Sequence, residues 1–120
     1  MFPVFNGCIW LYPKPIDFRK QIDGLVILVS DQLKLNPVSG QLFLFRNQRA
    51  NKIKILWWDR NGFWLCYKRL ERGRIIFPSG IVAATDAAIE LTRDQFGWLL
   101  SGLDCMRQIS LPDVKASCFY

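Results

Sequence analysis

Apolar residues at Phe18, Ile22, Leu25, Val26, Val29 and Leu33 fall at helical spacing, which predicts a helix opening near Asp17 and closing before Asn36-Pro37. Asp17 suits the N-cap or first turn, and Gly24 costs that helix about 1 kcal/mol relative to alanine. Ahead of it, Cys8 to Tyr12 reads as a short strand closed by Pro13 and Pro15, neither of which continues regular structure easily. Further on, Leu42 to Phe45 is a strand, and two longer strands meet at Asp59-Arg60-Asn61-Gly62, where Asn-Gly tolerates the positive φ of a type I′ hairpin turn. One more strand is expected from Arg74 to Phe77.

Alternation along the hairpin sorts its side chains into two faces. Ile53, Ile55, Trp57, Trp64, Cys66, Leu70, Ile75 and Phe77 make a core face, with Lys68 the exception. Lys52, Lys54, Leu56, Trp58, Phe63, Leu65, Tyr67, Arg69, Arg74 and Ile76 make the other, with basic groups at one end and apolar groups nearer the turn. Pro78 to Leu91 reads as a connector. Beyond it, Thr92-Arg93-Asp94-Gln95 fits a capping box, Phe96, Leu99, Leu100 and Leu103 supply an apolar helix face, and Gly102 suits the C-terminal cap of a helix over about 92–102. The expectation is an α+β fold: an antiparallel β-meander of three to five strands with two main helices packed against it. Residues 1–120 form a single domain on this reading, and half of them are apolar, enough for a real core.

Charge changes the picture. The net charge is +6, yet residues 46–74 hold nine Lys or Arg against two acids while the remainder is slightly negative. A regional excess of that size points to an acidic partner, either nucleic acid or an anionic membrane surface. No apolar run approaches the roughly 18 residues of a membrane span, and no charged-then-apolar signal pattern opens the chain, so a cytoplasmic protein with no membrane partner is expected. Cys8, Cys66, Cys105 and Cys118 are scattered without C-x-x-C spacing and there is no histidine, so reduced thiols, no metal and no cofactor are expected.

The same absence of histidine removes the commonest base for a serine or cysteine nucleophile, and no Gly-x-x-x-x-Gly-Lys phosphate loop is present. Asp17, Asp23 and Asp31 form the densest acidic series, but at helical spacing they do not share a face, so surface and capping roles explain them better than metal-dependent strand cutting. No catalytic residue is assigned. Nucleic-acid contact is assigned to Arg46, Arg49, Lys52, Lys54, Arg60, Lys68, Arg69, Arg72 and Arg74, since lysine and arginine bind backbone phosphates by charge and counterion release. Trp58, Phe63 and Tyr67 are candidates for a protein partner or for stacking on unpaired bases, the ordinary alternative being strand packing under the first helix.

Several motifs in one order carry a resemblance. Ile16-Asp17-Phe18-Arg19-Lys20 with Asp23-Gly24-Leu25, then Ser39-Gly40-Gln41-Leu42-Phe43-Leu44-Phe45-Arg46-Asn47, then Lys52-Ile53-Lys54-Ile55-Leu56-Trp57-Trp58-Asp59, and Lys68-Arg69-Leu70-Glu71-Arg72-Gly73-Arg74 together resemble the TnpB-type accessory protein of bacterial insertion sequences. This is the second open-reading-frame product of the insertion-sequence family numbered sixty-six, and the similarity spans about residues 8–104. The resemblance implies a non-enzymatic protein that supports transposition while a separate transposase carries the strand-cutting carboxylates. It transfers no catalytic or ligand-binding residues; DNA near the element ends is the partner expected from the local charge excess, with the transposase or a sister accessory protein as alternatives.

Overall fold

The structure is a computed structural model describing residues 7–76 and 87–101. Its longest strands among the described residues are Lys52–Asp59 (β3) and Gly62–Arg69 (β4), which pair antiparallel from Lys52 opposite Arg69 to Asp59 opposite Gly62. The two-face assignment from alternation holds through this whole register. At the turn, the positive φ falls on Arg60 (56°) rather than on Asn61-Gly62, and the Asn61 N–H donates back to the Asp59 carbonyl. The turn is therefore tighter than the expected type I′ form, which needs positive φ at both central residues.

Leu42–Arg46 (β2) lies antiparallel to β3, with Phe43 opposite Leu56 and Arg46 opposite Ile53. The expected meander fails at the next strand. Ile9–Leu11 (β1) runs parallel to β2, with Ile9 beside Leu42 and Leu11 beside Leu44, so the sheet is mixed. The reason is the helix between them: a strand, a helical crossover and a strand return the chain in the same direction. On its other side β1 pairs antiparallel with Ile89–Leu91 (β5), a three-residue strand inside the expected connector and too short to give a periodic signal. The spatial order is β4-β3-β2-β1-β5. Residues 74–76 carry no strand, and Phe77, Gly102 and Leu103 lie outside the described residues.

Helices cover opposite faces. Ile22–Ile27 (α1) continues as a π-helical segment over Leu28–Gln32, and Leu25 and Val29 from this run pack with Phe43, Phe45 and Leu56. Phe96 and Leu99 of Arg93–Leu100 (α2) belong to one core with Ile9, Leu11, Leu42, Leu44, Ile53, Ile55 and Trp57. Strand β2 is thus buried on both sides, which accounts for its unbroken apolar run Leu42–Phe45. The expected capping box is present: Thr92 Oγ1 accepts the Gln95 N–H and Gln95 Oε1 accepts the Thr92 N–H.

The first helix begins at Ile22, later than its apolar spacing predicts. Asp17 closes a separate turn by accepting the Arg19 N–H, and Lys54 Nζ donates to the carbonyls of Phe18 (2.9 Å) and Lys20 (2.7 Å). Those oxygens face the sheet instead of the helical ladder, so a tertiary contact overrides local spacing.

Candidate nucleic-acid interface

The β2–β3 connection is a closed, internally bonded loop. Asn47 Oδ1 accepts the N–H groups of Asn51 and Lys52, Asn47 Nδ2 donates to Asn51 Oδ1 at 2.7 Å, and Ala50 takes a φ of 57°. The chain leaving β4 folds back onto this loop. Leu70 N–H donates to Asn51 O and Ile75 N–H to Ala50 O, both at 2.7 Å, while the buried Ile75 side chain joins the α2-side core. Gly73, at φ 73°, allows the reversal between them.

This folding-back groups Arg49, Lys52, Arg69, Arg72 and Arg74 at one end of the sheet, with all but the half-buried Lys52 exposed. The acid between them, Glu71, pairs with Arg69 at 2.9 Å. Both partners are well exposed, so the pair is weak and leaves the arginine available to a competing phosphate.

The other four predicted basic residues stand elsewhere. Lys54 is 5 % exposed, lies 4.9 Å from the centroid of the Phe18 ring and is lowered in pKa by burial. Its charge is committed to the turn before α1, which corrects its assignment to a phosphate-binding surface. Arg46 is half-buried, donates through Nη2 to Pro13 O at 3.0 Å and is also lowered by burial. Lys68 is exposed, with Nζ 2.7 Å from Leu100 O at the end of α2, where a cation complements the helix dipole. Arg60 is exposed at the hairpin tip, about 25 Å from Lys52 by strand rise.

The aromatic candidates also divide. Trp58 and Phe63 meet edge to face with centroids 4.9 Å apart, both half-buried beside the α1 layer. Tyr67 is 53 % exposed, its ring 6.1 Å from that of Phe18. Sequence reasoning misses Trp64, which alternation assigns to the core face but which is 51 % exposed. The core on that face includes Cys66 and Leu70 at its margin and stops short of Trp64. Its position near the tip of the outer strand is the signal that could have found it.

Asp17 forms its contacts with Arg19, at 2.6 Å. Among the described residues no group of three His, Cys, Asp or Glu side chains could hold a metal ion. Cys8 and Cys66 are free thiols, Cys8 being raised in pKa chiefly by its hydrogen bond with Glu90. Cys105 and Cys118 lie outside the described residues. No helix among the described residues is long and apolar enough to cross a membrane.

These features define an α+β domain whose sheet ends in a cluster of cations. The chain belongs to the family described as IS66 Orf2 like protein, whose model matches residues 8–109. Membership implies an accessory role in transposition, and the family is not known as enzymatic. Two relatives come from Sinorhizobium fredii (strain NBRC 101917 / NGR234). The one described as uncharacterized protein y4jC is 36% identical over 99 residues, covering 82% of this chain and 81% of its own. The second, uncharacterized protein y4hO, is 38% identical over 99 residues, covering 82% and 83%. No solved structure matches the chain.

Proposed function

We propose that the chain is a non-enzymatic, cytoplasmic accessory factor that holds the phosphate backbone of DNA at the ends of an insertion sequence, while a separate transposase cuts and joins the strands. The observation that supports this most is the docking of the 70–76 segment on the Asn47–Asn51 loop through Leu70 and Ile75. Cations fixed on hydrogen-bonded backbone lose less conformational entropy on meeting phosphates than cations on a free arm. Phosphate contacts of this kind set the position of a protein on DNA without reading bases. Five engaged cations would give a slope of log affinity against log salt of about −4.5 on duplex DNA.

The test is fluorescence anisotropy with labelled element-end duplex, scrambled duplex and single strand at low and moderate salt. Binding should weaken with salt, and the combined charge reversal Arg69→Glu, Arg72→Glu and Arg74→Glu should lower affinity and flatten the slope. Unchanged affinity and slope in that variant would defeat the proposal.

A second reading has one observation behind it, the exposure of Tyr67. In this reading the chain is an adaptor that binds the transposase or a sister accessory protein. Tyr67→Ala should then weaken the co-purified complex with no change in melting temperature, whereas a complex of undiminished strength would remove the reading.

A further inference from the structure

Trp64 is held in place before anything binds it. Its ring stacks on the buried Trp57 opposite it, centroids 5.9 Å apart and planes 16° from parallel, and its indole Nε1–H donates to Asp59 Oδ2 at 3.2 Å. Even so, the residue is 51 % exposed. A large aromatic ring fixed by one stacked neighbour and one hydrogen bond, with half its surface in water, is prepared to receive a second planar ring at little entropic cost.

Its surroundings select the kind of ring. Asp59, the acid beside it, accepts the indole N–H and keeps its negative charge, which the neighbouring Arg60 offsets. Exposed Arg60 follows Asp59 in the turn, Lys68 shares the face of β4 that carries Trp64 while bonding Leu100 O, and the basic sheet end begins at Arg69, about 17 Å along this outer strand and on its other face. An aromatic platform on an outer strand, with cations at the turn and beyond the strand's far end, suits a chain of bases joined by phosphates that can pass over the sheet edge. Inside a duplex both faces of each base are already stacked, so away from duplex ends only an unpaired base can add itself to the Trp57–Trp64 pair.

We infer that Trp64 is a stacking platform for an unpaired base of single-stranded DNA whose backbone continues toward Arg69, Arg72 and Arg74. This rests on the reading that the basic sheet end contacts DNA, and it adds a strand preference and the residue that supplies it.

Anisotropy with one labelled oligonucleotide, single-stranded and as its duplex, tests the inference on the full chain. Trp64→Ala should weaken single-strand binding roughly 5- to 150-fold, the range found on removing a stacking aromatic, and leave duplex binding unchanged. Trp64→Phe should recover part of the loss. Because truncation could disturb the Trp57 stack, fluorine NMR of the fluorotryptophan-labelled unmutated protein supplies a second readout, and single strand should shift the Trp64 resonance more than duplex does. Unchanged single-strand affinity in Trp64→Ala, with binding lost on reversing Arg72 and Arg74, overturns the stacking and leaves the phosphate reading standing. Failure of both sets of variants to alter binding overturns both. A change of oligomeric state in Trp64→Ala, seen by light scattering with single-strand affinity intact, gives the ring to protein contact and overturns the inference.

Discussion

Lys54 and Phe18 form the joint between the sheet and the turn that precedes the first helix: the ammonium donates to the Phe18 carbonyl at 2.9 Å and sits 4.9 Å from the centroid of the Phe18 ring. A second bond, to the Lys20 carbonyl, makes this one side chain the tie for the whole turn. A cation can be buried here because two oxygens and an aromatic face replace part of its hydration.

Replacing Lys54 with methionine keeps the stem and removes the donors. Lys54→Met should cost roughly 1–3 kcal/mol, the scale of hydrogen bonds to a charged group, as read by urea unfolding. Burial lowers the Lys54 pKa below its ordinary 10.5, so the unfolded chain binds more protons between the folded value and 10.5 and stability rises with pH across that interval. The variant should lose this rise.

Salt dependence separates the fixed lysine from the surface cations. If the proposed interface operates, Arg72→Gln or Arg74→Gln should each reduce the salt slope of duplex binding by about 0.9, one phosphate's share. Lys54→Met should leave the slope unchanged. A titration of affinity against salt for the three variants makes the comparison.

Asp17 offers a pH test of the turn from the opposite charge. Hydrogen bonds from the Arg19 side chain and then from its backbone N–H lower the carboxyl from 3.8 to about 2. A carboxylate depressed by folding adds stability that is fully present above its ordinary pKa and lost as pH falls through the folded value, here from about 4 down to about 2. Carbon NMR of the Asp17 carboxyl should show a midpoint near 2 in the native chain, moving up toward 3.8 in Arg19→Gln.

The second helix depends on its first residues. Thr92→Ala removes the acceptor for the Gln95 N–H and half of the reciprocal cap, and should cost about 1 kcal/mol in urea unfolding. Thr92→Asp should retain most of that stability.

Local rules carry much of this fold, and they fail where distant residues decide. Alternation gives both faces of β3 and β4, and the spacing of Thr92 and Gln95 gives the start of α2. The expected antiparallel meander overlooks the parallel β1–β2 pair, although a strand followed by a helix and another strand, with the unbroken apolar run of β2, is its signal. Lys54 is different. Alternation places it beside Lys52 and Arg69, but α1 and the turn before it cover that part of the face, and no spacing rule shows which lysine will be covered. In the candidate site, the positive charge is plain in the sequence. Its concentration at one end depends on the Ile75–Ala50 and Leu70–Asn51 backbone bonds, formed between segments with no shared periodicity. Trp64 is misjudged because alternation names a face and says nothing of how far along it the covering helix extends.

The position of β1 between β2 and β5 sets an order of events during synthesis. Strands β3 and β4 can zip together through contacts close in sequence as soon as both have left the ribosome. Ile9–Leu11 finds β2 on one side but must wait for Ile89–Leu91 on the other. Throughout that interval the nascent domain presents an open row of amide and carbonyl groups beside the apolar Ile9 and Leu11, the kind of row another nascent chain can pair with. Pairing of Ile89–Leu91 covers that row and moves the open edge of the sheet from β1 to a three-residue strand, which offers a shorter template to another chain.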